Sequence, residues 1–354
     1  MNLCEDLRVG VVGAGQMGAD HIQRLTHRIS GARVTAVIEP DPARADAAVT
    51  AAPGARAYPR LEDALDAGAV DAVLIATPGR FHEPVLLPAI AAGVPVLCEK
   101  PLAEDAAAAL RIVEAEQRSG AQRVQVGFMR RFDAEYAGLR ELIGSKELGE
   151  LLMLRCIHRN PSVLDYYTQD MLIADSVVHE LDVVPWLAGS PIRTIEVRHG
   201  RRNTLAPAHL EEPILVLIEL ENGVLADVEM NVSVRFGYQV ATEGVFEQGI
   251  ARIGQPAGMQ IWEDGSARIG EHRSFTTRFA PAYDAQVQAW VDAARAGGIA
   301  GPSAWDGYRV ALASEAGVRA LHTRGPVEVD LPETPAFYAE RPLLFPSRPR
   351  QRTL

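Results

Sequence analysis

Short, continuously apolar runs alternate with longer amphipathic or alanine-rich stretches over residues 7–126. These runs lack the polar alternation of a half-exposed strand, and each therefore predicts a strand buried on both faces. Strands that alternate with helices predict a parallel, doubly wound sheet, which is an α/β fold. The predicted strands are Leu7–Val12, Val34–Ile38, Ala72–Ala76, Pro95–Cys98 and Val124–Val126, and the first predicted helix is His21–Ile29.

From about residue 150 onward, strand-like runs follow one another with few helices between them. Asn222-Gly223 separates two such runs and is typical of a tight β-hairpin. Strands joined by hairpins predict an open, mostly antiparallel sheet in an α+β domain, with its main helix at Met171–Leu187. The sequence thus predicts domains at 1–123 and 124–338 and a tail at 339–354. The predicted strands here are Leu151–Cys156, Ile192–Arg198, Ile214–Leu220, Val224–Val234 and Val240–Phe246.

Composition narrows the class of protein. The 354 residues are 47% hydrophobic and 23% charged, which is typical of a folded protein of two domains. A net charge of −11 argues against nucleic acid and anionic membranes as partners. No apolar run reaches about 18 residues, and the first residues lack the pattern of a signal peptide. Cys4, Cys98 and Cys156 are widely spaced, which fits a reducing compartment, so we predict a cytoplasmic protein.

A glycine-rich segment lies between the first predicted strand and the first helix. Gly13-Ala14-Gly15-Gln16-Met17-Gly18 has the G-x-G-x-x-G spacing that lets backbone N–H groups approach a pyrophosphate. Glu39 ends the second strand, 21 residues after Gly18, where a carboxylate accepts hydrogen bonds from ribose hydroxyls. It would repel a 2′-phosphate, and Pro40 leaves no basic residue next to it in sequence. These features predict a Rossmann domain that binds NAD in preference to NADP; the alternative is that Glu39 is a solvated loop acid.

Further polar residues follow the third and fourth strands. Thr77 and His82 come after the third strand, and Glu99-Lys100-Pro101 follows the fourth. Because ligands of doubly wound sheets bind at the carboxyl ends of strands, we predict that these residues, Lys100 included, contact the cofactor. Lys100 should also reach the substrate, unless it is simply a surface lysine.

Asp175 and His179 are spaced i, i+4 in the predicted buried helix, so they should share one face. Histidine is the natural proton acceptor near neutral pH. Asp175 would raise the pKa of the imidazole and burial would lower it, and the sequence does not rank the two effects. The alternatives are a self-satisfied buried pair or a zinc site, but no third ligand stands at a recognisable spacing, so no metal is predicted.

The glycine loop, Glu99-Lys100-Pro101 and Asp175-x-x-x-His179, in this order, resemble the Gfo/Idh/MocA oxidoreductase family. The segments 124–133, 158–161, 178–182 and 301–308 are similar to its inositol 2-dehydrogenase branch. The resemblance implies a Rossmann domain, an open second sheet, and a homotetramer built sheet against sheet. It places Lys100, Asp175 and His179 at catalytic positions and His158, Asn160 and Tyr238 in the substrate pocket. The chain departs from many relatives at Gly79-Arg80, where Asn is common.

The resemblance therefore implies an NAD-dependent dehydrogenase that oxidises one secondary hydroxyl of a cyclitol. The expected reaction converts myo-inositol, or a related isomer, to the 2-keto compound. One alternative is a dehydrogenase of the same family that acts on an aldose or a keto-sugar. Another is a non-catalytic NAD-binding regulator, which would not need Lys100, Asp175 and His179 together.

Overall fold

The structure, a computed structural model, describes residues 5–254, 260–323 and 325–339. Residues 340–354 of the predicted tail lie outside this range. Two large sheets organise the chain, and a separate two-stranded hairpin accompanies them. The predicted combination of a parallel sheet and a second, mostly antiparallel sheet is confirmed.

The first sheet has six parallel strands in the order β3-β2-β1-β4-β5-β6. The chain builds outward from β1 to β3 and then returns to the other side of β1. This reversal opens a crevice beyond the carboxyl ends of β1 and β4, where ligands of such sheets bind. The last strand, Val124–Val126, extends the sheet past the predicted domain boundary. The strands are β1 Leu7–Val12, β2 Ala32–Ile38, β3 Arg56–Tyr58, β4 Ala72–Ile75, β5 Val96–Cys98 and β6 Val124–Val126.

Helices cover the two faces of this sheet. The first begins at Gln16, five residues before the predicted start, because the glycine-rich turn itself provides its N-cap at Gly15. Asp41 and Asp105 cap the second and fifth helices through their side chains, which satisfies backbone N–H groups of the first turn. These helices are α1 Gln16–His27, α2 Pro42–Ala51, α3 Leu61–Asp66, α4 His82–Ala91 and α5 Ala106–Ser119.

The second sheet has seven strands in the order β12-β11-β7-β10-β9-β8-β15. Only β7 and β10 pair in parallel, and the other neighbours are antiparallel. Residues along β9 and β11 alternate between buried and more exposed positions, so one face packs against helices and the other stays open. The strands are β7 Leu151–Arg159, β8 Ile192–His199, β9 Ile214–Leu220, β10 Leu225–Asn231, β11 Gln239–Phe246, β12 Gly249–Ile253 and β15 Val327–Glu328, and the separate hairpin is β13 Gln260–Glu263 and β14 Ser266–Ile269.

Helices from the second half of the chain tie the two sheets together. Trp290 and Val291 of α9 join the same buried cluster as Val9 and Ile22 of the first domain. Buried Arg24 of α1 also bonds the carbonyl of Ala280 at the start of α9. No helix of the described ranges is both long enough and apolar enough to span a bilayer. The remaining helices are α6 Ala134–Ser145, α7 Val178–Ala188, α8 Phe275–Arg278, α9 Ala280–Arg295, α10 Ala304–Thr323 and α11 Ala336–Ala339.

Candidate active site

The glycine-rich loop joins β1 to α1 at the reversal of strand order. Gly13 has a φ of 87°, a conformation that favours glycine. A Cβ added at Gly18 would lie 1.9 Å from the carbonyl oxygen of Gly13, so only glycine lets the helix approach the loop this closely. A Cβ added at Gly15 would meet nothing within 4 Å, and no side chain caps the helix. Uncapped N–H groups facing open space suit a pyrophosphate.

Two further observations fit a dinucleotide at this edge. Exposed Gln16 and half-buried Met17 open the helix beside the loop. The Thr77 hydroxyl is buried and has no hydrogen-bond partner among the described residues, so it can bond a ligand. His82 lies behind it: Nε2 is 2.6 Å from the Thr77 carbonyl oxygen and Nδ1 is 2.7 Å from that of Pro101. Because burial lowers the pKa of His82, the ring is neutral and donates to only one of these two carbonyl oxygens, and its place behind Thr77 lets it support the loop that carries Thr77.

Glu39 ends β2 and is buried against the glycine loop. Its Oε2 accepts a hydrogen bond from the backbone N–H of Ala14 at 2.9 Å, and its Oε1 accepts one from Asp41 N–H at 3.0 Å. Arg44 also bonds Oε1 at 2.9 Å. Burial alone raises the pKa of Glu39, but these bonds and the Arg44 charge outweigh it and lower the pKa. Glu39 is therefore an ionised, fixed acceptor and not a solvated loop acid, and the sequence did not predict that a guanidinium lies beside it.

Lys100 follows β5 and reaches across to the second domain. Its Nζ donates to Asp175 Oδ1 at 2.7 Å and to the Asp175 carbonyl oxygen at 3.1 Å. The Lys100 ammonium is the main reason that the pKa of Asp175 is lowered, against an opposing effect of burial. Behind Lys100, Glu99 Oε2 accepts the Lys100 backbone N–H at 3.2 Å, and Oε1 lies 2.8 Å from Nε2 of buried His21. Lys100 is thus fixed at the domain junction, unlike a surface lysine.

Asp175 lies in a π-helical segment, Leu172–Val177, that leads directly into α7. The prediction that Asp175 and His179 share one face assumed an α-helix. It does not apply here, because a π-turn has a different rotation per residue. Asp175 bonds Lys100, and the His179 ring makes no hydrogen bond with any residue that the structure describes. The pair is not self-satisfied. Single π-turns in helices are frequent at functional sites.

The pKa of His179 is lowered well below its ordinary value. Burial is the largest cause, and the positive charges of Arg130 and Lys100, together with His158, act in the same direction. The sequence did not rank the effects of burial and of Asp175 on the pKa of His179. In the structure Asp175 bonds Lys100, and burial is the largest effect on this pKa. An imidazole that is neutral at pH 7 can accept a proton from an alcohol.

His158 lies beside this imidazole and links it to the other two predicted substrate residues, Asn160 and Tyr238. The ring centroid of His158 lies 6.2 Å from that of His179 and 6.2 Å from that of Tyr238. The Asn160 amide oxygen is buried without a hydrogen-bond partner among the described residues, two positions beyond His158 at the end of β7. Burial, as the largest cause, raises the pKa of Tyr238, which therefore stays a neutral hydroxyl. The structure thus brings the three predicted substrate residues to one wall beside His179.

Sequence reasoning missed two residues behind this wall, Arg130 and Glu180. Their side chains form a fully buried ion pair, and each also lies within hydrogen-bond distance of His158 Nδ1. Arg130 lies within a segment quoted for its family resemblance, and Glu180 directly follows His179 in sequence. Each is an ionisable residue with apolar neighbours in sequence, and this pattern could have indicated a buried charge that needs a partner. Within the described ranges, no group of three or more His, Cys, Asp or Glu side chains has an arrangement that would hold a metal ion.

Together, the dinucleotide loop, the fixed carboxylate on β2 and the Lys–His centre define a two-domain, nucleotide-dependent oxidoreductase. Sequence comparison gives the family. Residues 7–128 match the NAD-binding Rossmann fold of the Gfo/Idh/MocA oxidoreductase family, and residues 140–329 match its C-terminal alpha/beta domain. The chain belongs to this family.

Individual relatives extend the likeness over nearly the whole chain. Inositol 2-dehydrogenase of Leifsonia xyli is 68% identical over 340 residues, covering 96% of this chain and 100% of the relative. Inositol 2-dehydrogenase of Corynebacterium glutamicum is 63% identical over 338 residues, with 95% and 100% coverage. The crystal structure of myo-inositol dehydrogenase from Lactobacillus casei with NAD(H) and myo-inositol has a TM-score of 0.91 at 32% identity, covering 94% of this chain and 99% of that one.

Proposed function

We propose that this protein is an NAD-dependent dehydrogenase that oxidises one secondary hydroxyl of an inositol to a ketone, with the axial hydroxyl of myo-inositol as the preferred substrate group. The observation that carries the proposal is the centre at the domain junction. There a fixed ammonium, Lys100, and a neutral imidazole, His179, stand next to a wall of hydrogen-bonding side chains. The relatives named above support inositol as the substrate.

Each residue of the centre has a separate task. His179 accepts the proton of the reacting hydroxyl as general base. Lys100 donates a hydrogen bond through Nζ to the substrate oxygen and stabilises the negative charge that develops there. Asp175 accepts a hydrogen bond from Nζ and holds the ammonium in place. The residues proposed to bind hydroxyls of the ring are His158, Asn160 and Tyr238.

The cofactor is held at the reversal of strand order. When bound, NAD supplies the acceptor for the hydride that leaves the carbinol carbon. The glycine loop binds the pyrophosphate through backbone N–H groups, and Glu39 accepts hydrogen bonds from the ribose. Thr77 offers its unpaired hydroxyl, while Glu99 and His82 support the loops that carry Lys100 and Thr77. The proposed cofactor residues are Gly13, Gly15, Gln16, Met17, Gly18, Glu39, Thr77, His82, Glu99 and Lys100.

A substrate panel tests the proposal. Initial rates with NAD are measured for myo-, scyllo- and D-chiro-inositol and for glucose, galactose and xylose. We expect the highest kcat/KM with an inositol, because the wall beside His179 can bond several hydroxyls around one ring. A pyranose with the highest kcat/KM would instead favour the sugar dehydrogenase. No turnover of any polyol, combined with tight NAD binding, would favour a regulator.

Cofactor choice gives a prediction that involves two residues. In the wild type NAD should be strongly preferred, because the Glu39 carboxylate repels a 2′-phosphate. Glu39→Ala should weaken NAD binding and improve the use of NADP, since Arg44 then loses its partner and can bond the phosphate. The check is kcat/KM for both cofactors. The matched control, Glu39→Ala with Arg44→Ala, should lose NAD affinity without the gain for NADP. Equal use of both cofactors by the wild type would contradict the prediction.

We propose further that the protein works as a homotetramer in the cytoplasm, with the open faces of the larger sheets packed together. This face carries paired charges, such as Arg159 with Glu229 and Arg252 with Glu243, and the strands β9 and β10 add exposed Leu215 and Leu225. The buried cysteines Cys98 and Cys156 are free thiols, as in proteins of reducing compartments. Light scattering after gel filtration should give four times the mass of the chain, and a monomer mass would contradict the assembly.

A further inference from the structure

Two consecutive arginines each form an ion pair with a buried acid in the second domain. Arg130 pairs with Glu180, and Arg131 pairs with Asp182. Both acids lie on α7, directly after His179. The second pair points away from the substrate wall and also reaches Asp306, beside a separate cavity of about 730 Å³. The first pair alone touches a residue of the substrate wall, His158.

The contacts of His158 Nδ1 decide where its proton lies. Nδ1 is 3.1 Å from Glu180 Oε2 and 3.2 Å from Arg130 Nη2. A carboxylate only accepts and a guanidinium only donates, so one neutral nitrogen cannot serve both. Burial alone raises the pKa of Glu180, but the Arg130 charge outweighs it and the pKa is lowered, so the carboxylate is ionised.

If Nδ1 carried no proton, Glu180 Oε2 would be a buried carboxylate oxygen without a donor among the described residues. That state is costlier than one more unused N–H on Arg130, whose buried Nε already lacks a partner among the described residues but whose charge is balanced by Glu180. The proton therefore belongs on Nδ1, and in the neutral ring Nε2 carries the lone pair. Nε2 makes no hydrogen bond with any described residue, and the ring stands beside His179 and Tyr238.

We propose that Glu180, held by Arg130, is a positioning residue that keeps the proton of His158 on Nδ1, so that Nε2 accepts a hydrogen bond from a substrate hydroxyl next to the reacting carbon. The inference rests on the proposed function, because it concerns the same substrate site. It makes the site selective for polyols with a free hydroxyl donor at that position. A ring that carries hydrogen or an ether there should bind poorly.

Glu180→Gln tests the assignment with little change in volume. Arg130 requires an acceptor, so the new amide turns its oxygen to Arg130 and its N–H₂ group to His158 Nδ1. His158 must then carry its proton on Nε2 and donate it, so the substrate hydroxyl can no longer donate there and has to turn and accept instead. We expect KM for myo-inositol to rise about 10- to 100-fold. The change in kcat should be much smaller, and the Kd for NAD, measured by calorimetry, should stay the same.

Asp182→Asn is the matched control, since Asp182 is an equally buried acid on the same helix and its ion pair with Arg131 does not touch the substrate wall. It should lower Tm as Glu180→Gln does but leave KM near the wild-type value. A series of mono-O-methyl-inositols adds a second readout. In the wild type, one member should lose affinity because its ether oxygen cannot donate to Nε2. In Glu180→Gln, where Nε2–H donates and an ether oxygen can accept, that member should lose much less affinity relative to myo-inositol.

The outcomes separate the two proposals. If the wild type oxidises no inositol, the proposed function fails. If it does, but Glu180→Gln changes KM no more than Asp182→Asn or keeps the wild-type pattern across the O-methyl series, the positioning role is wrong. Should Glu180→Gln not fold, ¹⁵N spectra of histidine-labelled wild type decide the question, with His158 assigned through His158→Asn. An unprotonated Nε2 is expected, and a protonated Nε2 with unprotonated Nδ1 would overturn the proposal.

Discussion

Replacing Lys100 with Met is expected to lower kcat for inositol oxidation by a factor of about 10² to 10⁴, because the substrate oxygen then loses the hydrogen bond from the Lys100 ammonium at the domain junction. The change also leaves Asp175 without the ammonium that lowers its pKa. The Kd for NAD should change little, since the pyrophosphate loop and Glu39 bind the other parts of the cofactor. Steady-state rates and calorimetry with NAD measure both effects.

The chain offers a close control, because its only other lysine is Lys146. Lys146 also pairs with a carboxylate, that of Glu150, at 2.6 Å, but on the exposed surface. Lys146→Met should therefore keep wild-type kcat. Wild-type turnover by Lys100→Met would refute the role given to Lys100, and a large loss of NAD affinity would show that the residue acts mainly on the cofactor.

Replacing His179 with Ala is the second change with a large expected effect. It should lower kcat/KM by about 10² to 10⁴, the usual contribution of a positioned base. In the wild type, the base is active only when unprotonated, so activity is lost as pH falls through the pKa of His179. Because burial, Arg130, Lys100 and His158 lower that pKa, the acid limb should lie well below pH 6.5. The sequence alone, which left burial and Asp175 unranked, allowed a limb near neutrality.

The measurement is kcat/KM for inositol at saturating NAD from pH 4.5 to 9. In His179→Ala the acid limb of the wild type should disappear. His27→Ala, an exposed change at the far end of α1, should retain the wild-type profile. If the acid limb persists unchanged in His179→Ala, Asp175 becomes the better candidate for the base.

The sequence predicted those strands and loops whose own residues carry a recognisable pattern. The strands β1, β4 and β5 are buried on both faces, and a continuous apolar run is a direct consequence of that burial. β3, Arg56–Tyr58, was not predicted because it is a short edge strand with exposed residues and no apolar pattern. The glycine loop was recognised because its function restricts both residue type and spacing.

Features that depend on tertiary contacts were not predictable in this way. No residue pattern marks the π-helical segment at Asp175, whose side chain and carbonyl oxygen both accept hydrogen bonds from Lys100, 75 positions away. The Arg130–Glu180 pair joins residues 50 positions apart. Arg44 lies only five positions after Glu39, and its contact was missed because the sequence was read for a basic residue directly next to Glu39. The sequence supplied the candidate side chains, whereas their partners required the structure.

The most direct test of the central claim is the fate of the hydrogen on the carbon that is oxidised. myo-Inositol deuterated at carbon 2 is incubated with NAD and the enzyme, and the reduced cofactor is analysed by mass spectrometry. The account predicts NADH that carries one deuterium from the substrate and, in a parallel reaction of unlabelled inositol in D₂O, NADH that carries none. Unlabelled NADH from the deuterated substrate, or no reduction of NAD at all, would contradict oxidation of this hydroxyl by direct hydride transfer.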